Sequence, residues 1–249
     1  MSAKIAVIGG TGLYSMMDDF EMTHQEIINT PYGETSGPLV FGQLQGKEVV
    51  FLARHGFTHR LPPHRINYLA NIWMLKKVEV EKIISVNAVG SINQNCAPES
   101  MVIPDQIIDY SWGREHTFYA EDLTRVVHID FTHPYTESLR QTLIQAGKNC
   151  ESNLIDGAVY ACTQGPRLET AAEVKRLGKD GCDLIGMTGM PEAALARELS
   201  IDYASISVVA NWAAGINGDE ISMDQIERHM QKGMEKVKKL IAEAVRISD

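Results

Sequence analysis

The stretch YASISVVANWAAGING, Tyr203–Gly218, contains a nearly unbroken apolar run that stops at Asn211. A strand that is apolar on both faces is typical of a sheet covered by helices on both sides, as in α/β proteins. A bulky amide pair, Asn211-Trp212, follows the run, and small residues come after it. Ligands of α/β sheets bind at the carboxyl ends of the strands, and this pattern gives Asn211 such a position.

Other β-rich runs and helical patterns alternate along the chain. The runs lie at Lys4–Ile8, Glu48–Ala53, Lys82–Ala88, Met101–Ile108, Gly157–Cys162, Asp183–Met187 and Tyr203–Ala210. The helical patterns lie at Asn67–Val78, Glu137–Ala146, Glu169–Leu177 and Pro191–Leu199, and a last one starts near Met223. Ser222 and Gln225 predict a capping box at the start of that last helix. The alternation predicts a single α/β domain over residues 1–249, with a mixed or mainly parallel central β-sheet flanked by helices.

The composition excludes several classes of protein. The 249 residues carry a formal net charge of −9, which argues against a nucleic-acid or acidic-membrane binder because such proteins present a basic face. No apolar stretch reaches the ~18 residues that a membrane span requires, and the first residues lack a signal-peptide pattern. The four cysteines form neither a CxxC pair nor a zinc spacing, so we expect reduced thiols in a soluble cytoplasmic protein.

The glycine-rich turn GGTG, Gly9–Gly12, follows the first predicted strand. Backbone N–H groups of such a turn can bind an anion, and the hydroxyl of Thr11 adds a donor. A plain tight turn explains the same residues. A dinucleotide fingerprint would need glycine where Ser15 stands, and the chain contains no P-loop and no G-x-S-x-G nucleophile elbow.

The second predicted strand ends in LARHGFTHRLPPHR, Leu52–Arg65, which places three arginines and three histidines within 12 positions. His55 and His59 are four residues apart, as metal ligands can be, but the flanking arginines and the lack of a nearby carboxylate disfavour a divalent cation. Arginine presents a planar fork of donors, and histidine a further donor, which together suit phosphate. A solvated basic loop explains any one of these residues equally well, whereas the whole cluster in so acidic a chain indicates an anion pocket.

Three more predicted strand ends carry unusual residues beside small ones. Asn87 lies in VNAVGS, Glu169 in TQGPRLET, and Met187 with Thr188 in GMTGMPEA. Each has an ordinary structural explanation, since asparagine is common before turns, glutamate can cap a helix and methionine fills cores. Taken together, the strand ends indicate a phosphate pocket beside a flat polar ligand, and they contain neither a nucleophilic triad nor a metal site.

The ordered set of motifs resembles a known family. GGTG, LARHG, NYLANIW, NAVGS, QGPRLET, GMTGMPE and VVAN are similar to motifs of the trimeric nucleoside phosphorylases, in particular the branch that acts on 5′-methylthio nucleosides. The resemblance runs from about Lys4 into the last predicted helix. It implies an α/β fold around a mixed sheet, a homotrimer, and reversible phosphorolysis of a purine nucleoside. Inorganic phosphate would be a co-substrate, with no metal and no organic cofactor.

The resemblance also implies which residues form the site. The phosphate would contact Thr11, Arg54, His55, Asn87, Ala88 through its backbone, and Thr188. The nucleoside would contact Leu168, Glu169, Met187, Asn211, Trp212, Ala213, Met223 and His59, together with His128 from a neighbouring subunit. Arg54 and His55 would position the phosphate, and Asn211 would accept a hydrogen bond from N7–H of the departing purine. Positioning of reactants can contribute ~7–11 kcal/mol.

Three departures from the methylthioadenosine pattern concern the base. That pattern has aspartate at the positions of Asn211 and Ala213, and serine at the position of Glu169. An aspartate accepts from the amino group of adenine, whereas the amide of Asn211 can donate to a 6-oxo group and Glu169 can accept from N1–H. A mispaired buried group costs about 1–3 kcal/mol, so two of them give roughly 10²-fold discrimination. The departures predict a 6-oxopurine nucleoside.

The 5′ end of the nucleoside is expected to meet Met223. Relatives that prefer a 5′-hydroxyl usually have histidine there, and the apolar Met223 favours a methylthio group instead. Leu168 stands where the family has an aromatic residue that stacks on the base. Four alternatives to a 5′-methylthio 6-oxopurine substrate remain: inosine or guanosine as substrate, methylthioadenosine as substrate, a dinucleotide-dependent oxidoreductase using GGTG, and a nucleoside-binding module without catalysis.

Overall fold

The computed structural model describes residues 4–10, 13, 19–121, 125–218 and 220–248. Within these residues, strands and helices alternate along the chain. The strands are β1 Lys4–Gly9, β2 Glu21–Glu26, β3 Leu39–Leu44, β4 Lys47–Ala53, β5 Val80–Ser91, β6 Met101–Ile103, β7 Gln106–Asp109, β8 Leu154–Asp156, β9 Val159–Cys162, β10 Leu184–Gly186 and β11 Asp202–Trp212. The helices are α1 Tyr68–Lys77, α2 Glu137–Asn149, α3 Ala171–Lys179, α4 Glu192–Glu198 and α5 Met223–Ile247, with a short 3-10 helix at Pro63–Arg65.

All the strands belong to one sheet. Its main path runs in the order β2-β3-β4-β1-β5-β10-β9-β7, and β11 pairs with β5 and β6 while β8 pairs with β6. β1, β4, β5 and β11 run parallel to one another, whereas β10 is antiparallel to β5. The expectation of a single α/β domain with a mixed central sheet flanked by helices is confirmed.

Strand β11 shows why the opening apolar run belongs in this sheet. Tyr203 and Val209 on one face pack in the same core cluster as residues of α1 and α4. Ala204, Ile206 and Val208 on the other face pack against residues of α2 and α5. Burial on both faces explains the continuous hydrophobicity of this stretch, because neither face meets water.

The predicted elements differ from the observed ones in a few places. The sequence predicts one strand over Met101–Ile108, but Pro104 and Asp105 separate β6 from β7, since proline has no N–H to donate to the ladder. The capping box at Ser222 is wrong, because among the described residues the Ser222 side chain makes no cap hydrogen bond. A capping box instead starts α3, where Thr170 and Glu173 exchange hydrogen bonds.

The sheet is interrupted along one edge of β5. β1 pairs with β5 as far as Ser85, and β10 pairs with it only at Gly90 and Ser91. Among the described residues, no strand pairs with residues 86–89 on that edge, although β11 covers the opposite edge. The chain leaving β10 runs back beside this interruption, because β10 is antiparallel to β5. The carboxyl ends of β4, β5, β10 and β11 therefore converge on one place.

Two further findings concern the cysteines and the helices. All four cysteines are free; three are buried and Cys150 is half-buried. Among the helices of the described residues, none combines the length and apolar character needed to cross a membrane.

Candidate active site

Arg54, directly after β4, lies beneath α4 in a buried ion pair. Its Nε donates to Oε2 of Glu192 at 2.7 Å and its Nη2 to Oε1 at 2.8 Å. Nη1 donates to the carbonyl of Val86 at 3.0 Å, at the interrupted edge of β5. Burial acts to lower the pKa of Arg54, but the charge and hydrogen bonds of Glu192 raise it above its ordinary value, so the guanidinium stays protonated. Arg54 is thus held rigidly at the edge where the strand ends converge.

The Glu192 carboxylate anchors a wider polar network. Its Oε1 also accepts hydrogen bonds from Ser85 Oγ at 3.0 Å and from Tyr203 Oη at 2.9 Å. Both side chains of the ion pair are 2% exposed, so these extra donors satisfy a carboxylate that water does not reach.

Asn87 and Thr188 are brought together, as the sequence motifs suggested. Thr188 Oγ1 donates to Asn87 Oδ1 at 2.9 Å, and Asn87 Nδ2 donates to Ser205 Oγ at 2.6 Å. Both residues are buried. Ala88 follows in β5 and is exposed, so its backbone is accessible at the interruption. Four of the six residues expected at the phosphate, Arg54, Asn87, Ala88 and Thr188, therefore line one edge.

His55 is half-buried next to Arg54, and its ring orientation is set by the backbone. Its Nδ1 lies 2.7 Å from the carbonyl of Leu61, and because a carbonyl only accepts, Nδ1 carries the proton. Burial, opposed by this hydrogen bond and aided by the charge of Arg54, lowers the pKa of His55 to about 4. The neutral ring then presents Nε2 as an acceptor. The structure thus gives the neutral His55 ring an acceptor at Nε2, where the sequence analysis expected a donor.

Two other candidate phosphate-site residues have different outcomes. The ring of His59 stacks on that of His55 with centroids 4.5 Å apart, and His59 itself is exposed. Thr11, together with part of the GGTG turn and Ser15, lies outside the described residues. Within the described parts of the chain, no cluster of three or more His, Cys, Asp or Glu side chains could hold a metal ion.

Glu169 lies in the β9–α3 loop and does not cap the helix. Thr170 is the N-cap of α3, and Glu173 supplies the capping carboxylate. Glu169 instead accepts a hydrogen bond from Thr163 Oγ1 through Oε1 at 2.7 Å. Glu169 and Thr163 line a cleft of about 410 Å³. Helix capping is therefore carried out by Thr170 and Glu173, and Glu169 is free of that role.

Asn211 sits at an irregularity of β11. The register with β5 shifts between Val209 and Asn211, which places Asn211 opposite Gly90. A Cβ atom on Gly90 would lie 3.6 Å from Asn211 Nδ2, an ordinary van der Waals distance, so the amide lies directly beside this position. Asn211 Nδ2 donates to the carbonyl of Trp212 at 2.7 Å. This contact fixes the orientation of the amide, because the flipped amide would place Oδ1 against the Trp212 carbonyl oxygen.

The neighbours of Asn211 are a half-buried Trp212 and a buried Ala213. Ala213 donates its N–H to the carbonyl of Ser91 at 2.8 Å and belongs to a small core cluster with Val174 and Leu177 of α3. An aspartate at position 213 would bring a charge into this apolar cluster. The alanine therefore serves packing as well as removing an acceptor.

The remaining nucleoside candidates differ in how far they are buried. Met187 is half-buried at the end of β10, and its Sδ would be 2.5 Å from a Cβ atom on Gly165. Leu168 and Met223 are exposed, at 42% and 67%, and His128 is also exposed.

Sequence reasoning missed several residues that build the site. Glu192, Ser85, Tyr203 and Ser205 support Arg54 and Asn87, and Arg114 holds two of the loops. One signal was present: the serines at 85 and 205 interrupt otherwise apolar strands and are fully buried. Buried polar side chains need partners, so serines in such strands indicate a polar network.

Comparisons with known proteins identify the family. A model of the family described as "Phosphorylase superfamily" matches residues 4–246. The chain belongs to this superfamily.

Among relatives, the chain is 50% identical over 245 residues to a protein of Pseudomonas syringae pv. tomato named "probable S-methyl-5′-thioinosine phosphorylase", covering 98% of each chain. It is 44% identical to a 6-oxopurine nucleoside phosphorylase of Pyrococcus furiosus, covering 97% of this chain and 92% of that one. Among solved structures, it is similar to a variant of adenosine/methylthioadenosine phosphorylase from Schistosoma mansoni in complex with methylthioadenosine. That likeness has a TM-score of 0.92, with 32% identity and coverage of 98% of this chain and 90% of that chain.

Proposed function

We propose that the protein catalyses the phosphorolysis of S-methyl-5′-thioinosine to hypoxanthine and 5-methylthioribose 1-phosphate, in purine salvage. The observation that carries the proposal is the orientation of the Asn211 amide by the carbonyl of Trp212. One Nδ2 hydrogen is used in that contact, which leaves the second N–H and, among the described residues, Oδ1 for a ligand. An amide with a free donor and a free acceptor complements O6 and N7–H of a 6-oxopurine.

The reaction needs an oriented anion on one side of the sugar. In the proposed mechanism a phosphate oxygen attacks C1′ of the ribose as the bond from C1′ to N9 breaks, and the bonding electron pair leaves with the purine. Arg54, with the backbone at Ala88, holds the phosphate at the interrupted edge of β5, and the Thr188 hydroxyl, which donates to Asn87 in the structure, would turn to donate to the phosphate when that anion binds. His55 accepts a hydrogen bond from a phosphate O–H. Preorganised donors of this kind stabilise developing charge without having to reorganise.

The purine side receives the negative charge. N7 takes up a proton from solvent as the bond to N9 breaks, and the attacking phosphate releases its own proton to solvent, so that the charges balance. Asn211 Oδ1 accepts the N7–H hydrogen bond while Nδ2 donates to O6. Glu169 accepts from N1–H, with its other oxygen held by Thr163. Adenine would place its amino group against the Asn211 N–H and its N1 lone pair against Glu169, which are two mismatches of about 1–3 kcal/mol each.

The 5′ substituent selects between the two candidate 6-oxopurine substrates. Met223, at the first position of α5, is apolar and suits a methylthio group, whereas it offers no strong hydrogen bond to the 5′-hydroxyl of inosine or guanosine. Phosphorolysis of inosine or guanosine is the second candidate function.

The proposal includes a homotrimer in which His128 reaches a neighbouring subunit's site. It is supported by exposed apolar side chains around the site, among them Trp112 at 72%, Val126 at 73% and Met223 at 67%, because such surface favours burial against another chain. Analytical ultracentrifugation measures the assembly, and a monomer would contradict the trimer.

The proposal also covers location and co-substrate. The free cysteines support a reducing cytoplasmic location. The chemistry described needs phosphate as co-substrate and no metal or organic cofactor.

A kinetic panel with phosphate and four nucleosides tests the function. We expect kcat/KM to be highest for methylthioinosine, with inosine next and methylthioadenosine and adenosine far lower. Equal values for inosine and methylthioinosine would remove the role of Met223. A large excess for methylthioadenosine would overturn the assignment of the base, and binding without phosphate-dependent cleavage would indicate a nucleoside-binding module.

A further inference from the structure

The loop between β7 and α2 inserts one guanidinium between two loops of the candidate site. Arg114 is half-buried, and its Cζ lies 5.5 Å from the centre of the Tyr68 ring in α1. No sequence motif included this residue. Among the described residues no carboxylate forms an ion pair with Arg114, so backbone carbonyls surround its charge.

The first group of Arg114 contacts joins the β9–α3 loop. Nη2 donates to the carbonyls of Thr163 and Gln164 at 3.1 and 3.0 Å, and Nε lies 3.3 Å from the side-chain oxygen of Gln164. Thr163 in turn donates its hydroxyl to Glu169. The guanidinium is therefore two hydrogen bonds away from the carboxylate proposed to meet N1–H of the purine.

The second group joins the loop after β10. Nη1 donates to the carbonyl of Met187 at 2.9 Å and to that of Met190, and it lies 3.3 Å from the Tyr68 hydroxyl. Met187 is expected to contact the nucleoside, and the adjacent Thr188 is expected to contact the phosphate. One planar group thus ties the purine side of the site to its sugar and phosphate side.

We propose that Arg114 is a positioning residue that sets the distance between the purine-reading loop and the phosphate-side loop. This inference rests on the proposed function for its kinetic consequence. All five guanidinium N–H groups are used in protein contacts, so Arg114 acts through Glu169, Met187 and Thr188 without touching the substrate. A lysine has three donors and no planar fork, so Arg114→Lys cannot make the same set of contacts.

The test compares Arg114→Gln and Arg114→Lys with a matched control, Arg140→Gln. Arg140 is a buried arginine that, like Arg114, donates to backbone carbonyls, those of Pro104 and Ile103. It also pairs with Glu137 and Asp156, lies on α2 and contacts none of the site residues. Each variant is measured for melting temperature, for kcat and KM with methylthioinosine and methylthioadenosine, and for amide hydrogen exchange.

We expect both Arg114 variants to lose about 10²-fold in kcat/KM for methylthioinosine, since displacement of a reacting group by about 1 Å has that effect. The preference for methylthioinosine over methylthioadenosine should fall as well, because Glu169 is displaced. Arg140→Gln should lower the melting temperature without changing that preference. A third variant, Arg114→Ala, should regain part of its activity when guanidinium ion is added. A variant whose fold is merely destabilised would not be rescued in this way.

Hydrogen exchange separates this inference from the proposed function. Exchange should accelerate in residues 163–170 and 187–191 of the Arg114 variants and not in Arg140→Gln, whether or not the wild-type protein cleaves methylthioinosine. An inactive wild type with this exchange pattern would refute the proposed function and keep the positioning role. Unchanged exchange in both segments, or an unchanged substrate preference in an active Arg114→Gln or Arg114→Lys protein, would overturn the inference.

Discussion

The side chains of Arg54 and Glu192 form a bidentate ion pair in which each is 2% exposed. The pair joins the end of β4 to the first residue of α4, 138 positions apart in sequence. Its consequence for the proposed phosphate site is electrostatic. Because Glu192 already balances the charge of Arg54, phosphate meets a well-positioned donor and not an uncompensated cation.

Glu192→Gln tests this relationship. The glutamine keeps the shape but puts an amide N–H against the donors of Arg54, Ser85 or Tyr203. Breaking a buried ion pair costs about 3–5 kcal/mol, so the free energy of unfolding should fall by that amount and the KM for phosphate should rise more than the KM for the nucleoside. Glu235→Gln, which alters an exposed pair with Lys238, is the control and should change neither quantity. A rise confined to the nucleoside KM would contradict the role of Glu192.

The second prediction concerns pH. The pKa of His55 is lowered to about 4 in the folded protein, chiefly by burial, whereas an unfolded histidine has a value near 6.5. Between these values the unfolded chain binds more protons than the folded one, so this group makes stability fall as pH decreases from about 6.5 to 4 and contributes no pH dependence above that window.

The His55→Gln variant should show a weaker loss of stability over this window. Urea unfolding at several pH values measures it, with His64→Gln at an exposed position as control. An NMR titration of the His55 ring gives the pKa directly. A midpoint near 6.5 would show that the ring is not desolvated as the structure indicates.

Asn211→Asp tests how the base is read. A carboxylate cannot donate to O6, so the ratio of kcat/KM for methylthioinosine to that for methylthioadenosine should fall roughly 10- to 10²-fold, corresponding to about 1–3 kcal/mol. Asn95→Asp makes the same chemical change at an exposed position and should leave the ratio unchanged. If Asn211→Asp keeps full activity with an unaltered ratio, Asn211 does not read the base.

Met223→Ala addresses the 5′ end of the nucleoside. Burying a CH₂ group contributes ≈ 0.8 kcal/mol. For each methylene-sized group of Met223 that no longer packs against the 5′ substituent, the preference for methylthioinosine over inosine should fall by about 4-fold. Met22→Ala shortens a methionine that is also exposed, at 55%, and serves as the control. An equal decrease of activity with both nucleosides would mean that Met223 does not contact the 5′ substituent.

Gly165→Ala tests the placement of Met187. A Cβ atom at position 165 would lie 2.5 Å from Met187 Sδ, so the methionine must move away from the ribose side. Gly181→Ala is a matched control, since both glycines have positive φ, 62° and 91°, but no atom lies within 4 Å of a Cβ at 181. Both variants should lose about 1–2 kcal/mol of unfolding free energy, because alanine is strained at positive φ. Only Gly165→Ala should also have a lower kcat/KM. Equal kinetic losses would contradict the contact.

Much of the sheet could be predicted because its central strands are apolar on both faces. β2 could not, since all six residues of Glu21–Glu26 are exposed and the strand exists through its pairing with β3. The three-residue β8 is too short to produce a pattern. Hydrophobic periodicity reports burial, so strands that form by pairing at an edge escape it.

The proximity of Asn87 and Thr188 could be predicted, because the motifs that contain them lie toward the carboxyl ends of two strands. Glu192 and Arg114 escaped prediction because their partners are distant in sequence, and spacing along the chain carries no signal for such contacts. The protonation of His55 likewise depends on the carbonyl of Leu61 and on burial, which appear only once the chain is folded.

The interruption beside residues 86–89 of β5 determines which sequence changes would keep the proposed phosphate contact. In the proposed site the peptide group of Ala88 meets the phosphate, and a peptide group is present whatever side chain the position carries. A substitution at 88 would therefore keep the anion contact, provided that the new side chain fits. A one-residue insertion or deletion in β5 would shift the peptide groups beyond it out of register with β11, so the proposed contact depends on the length of the strand more than on the side chain at 88.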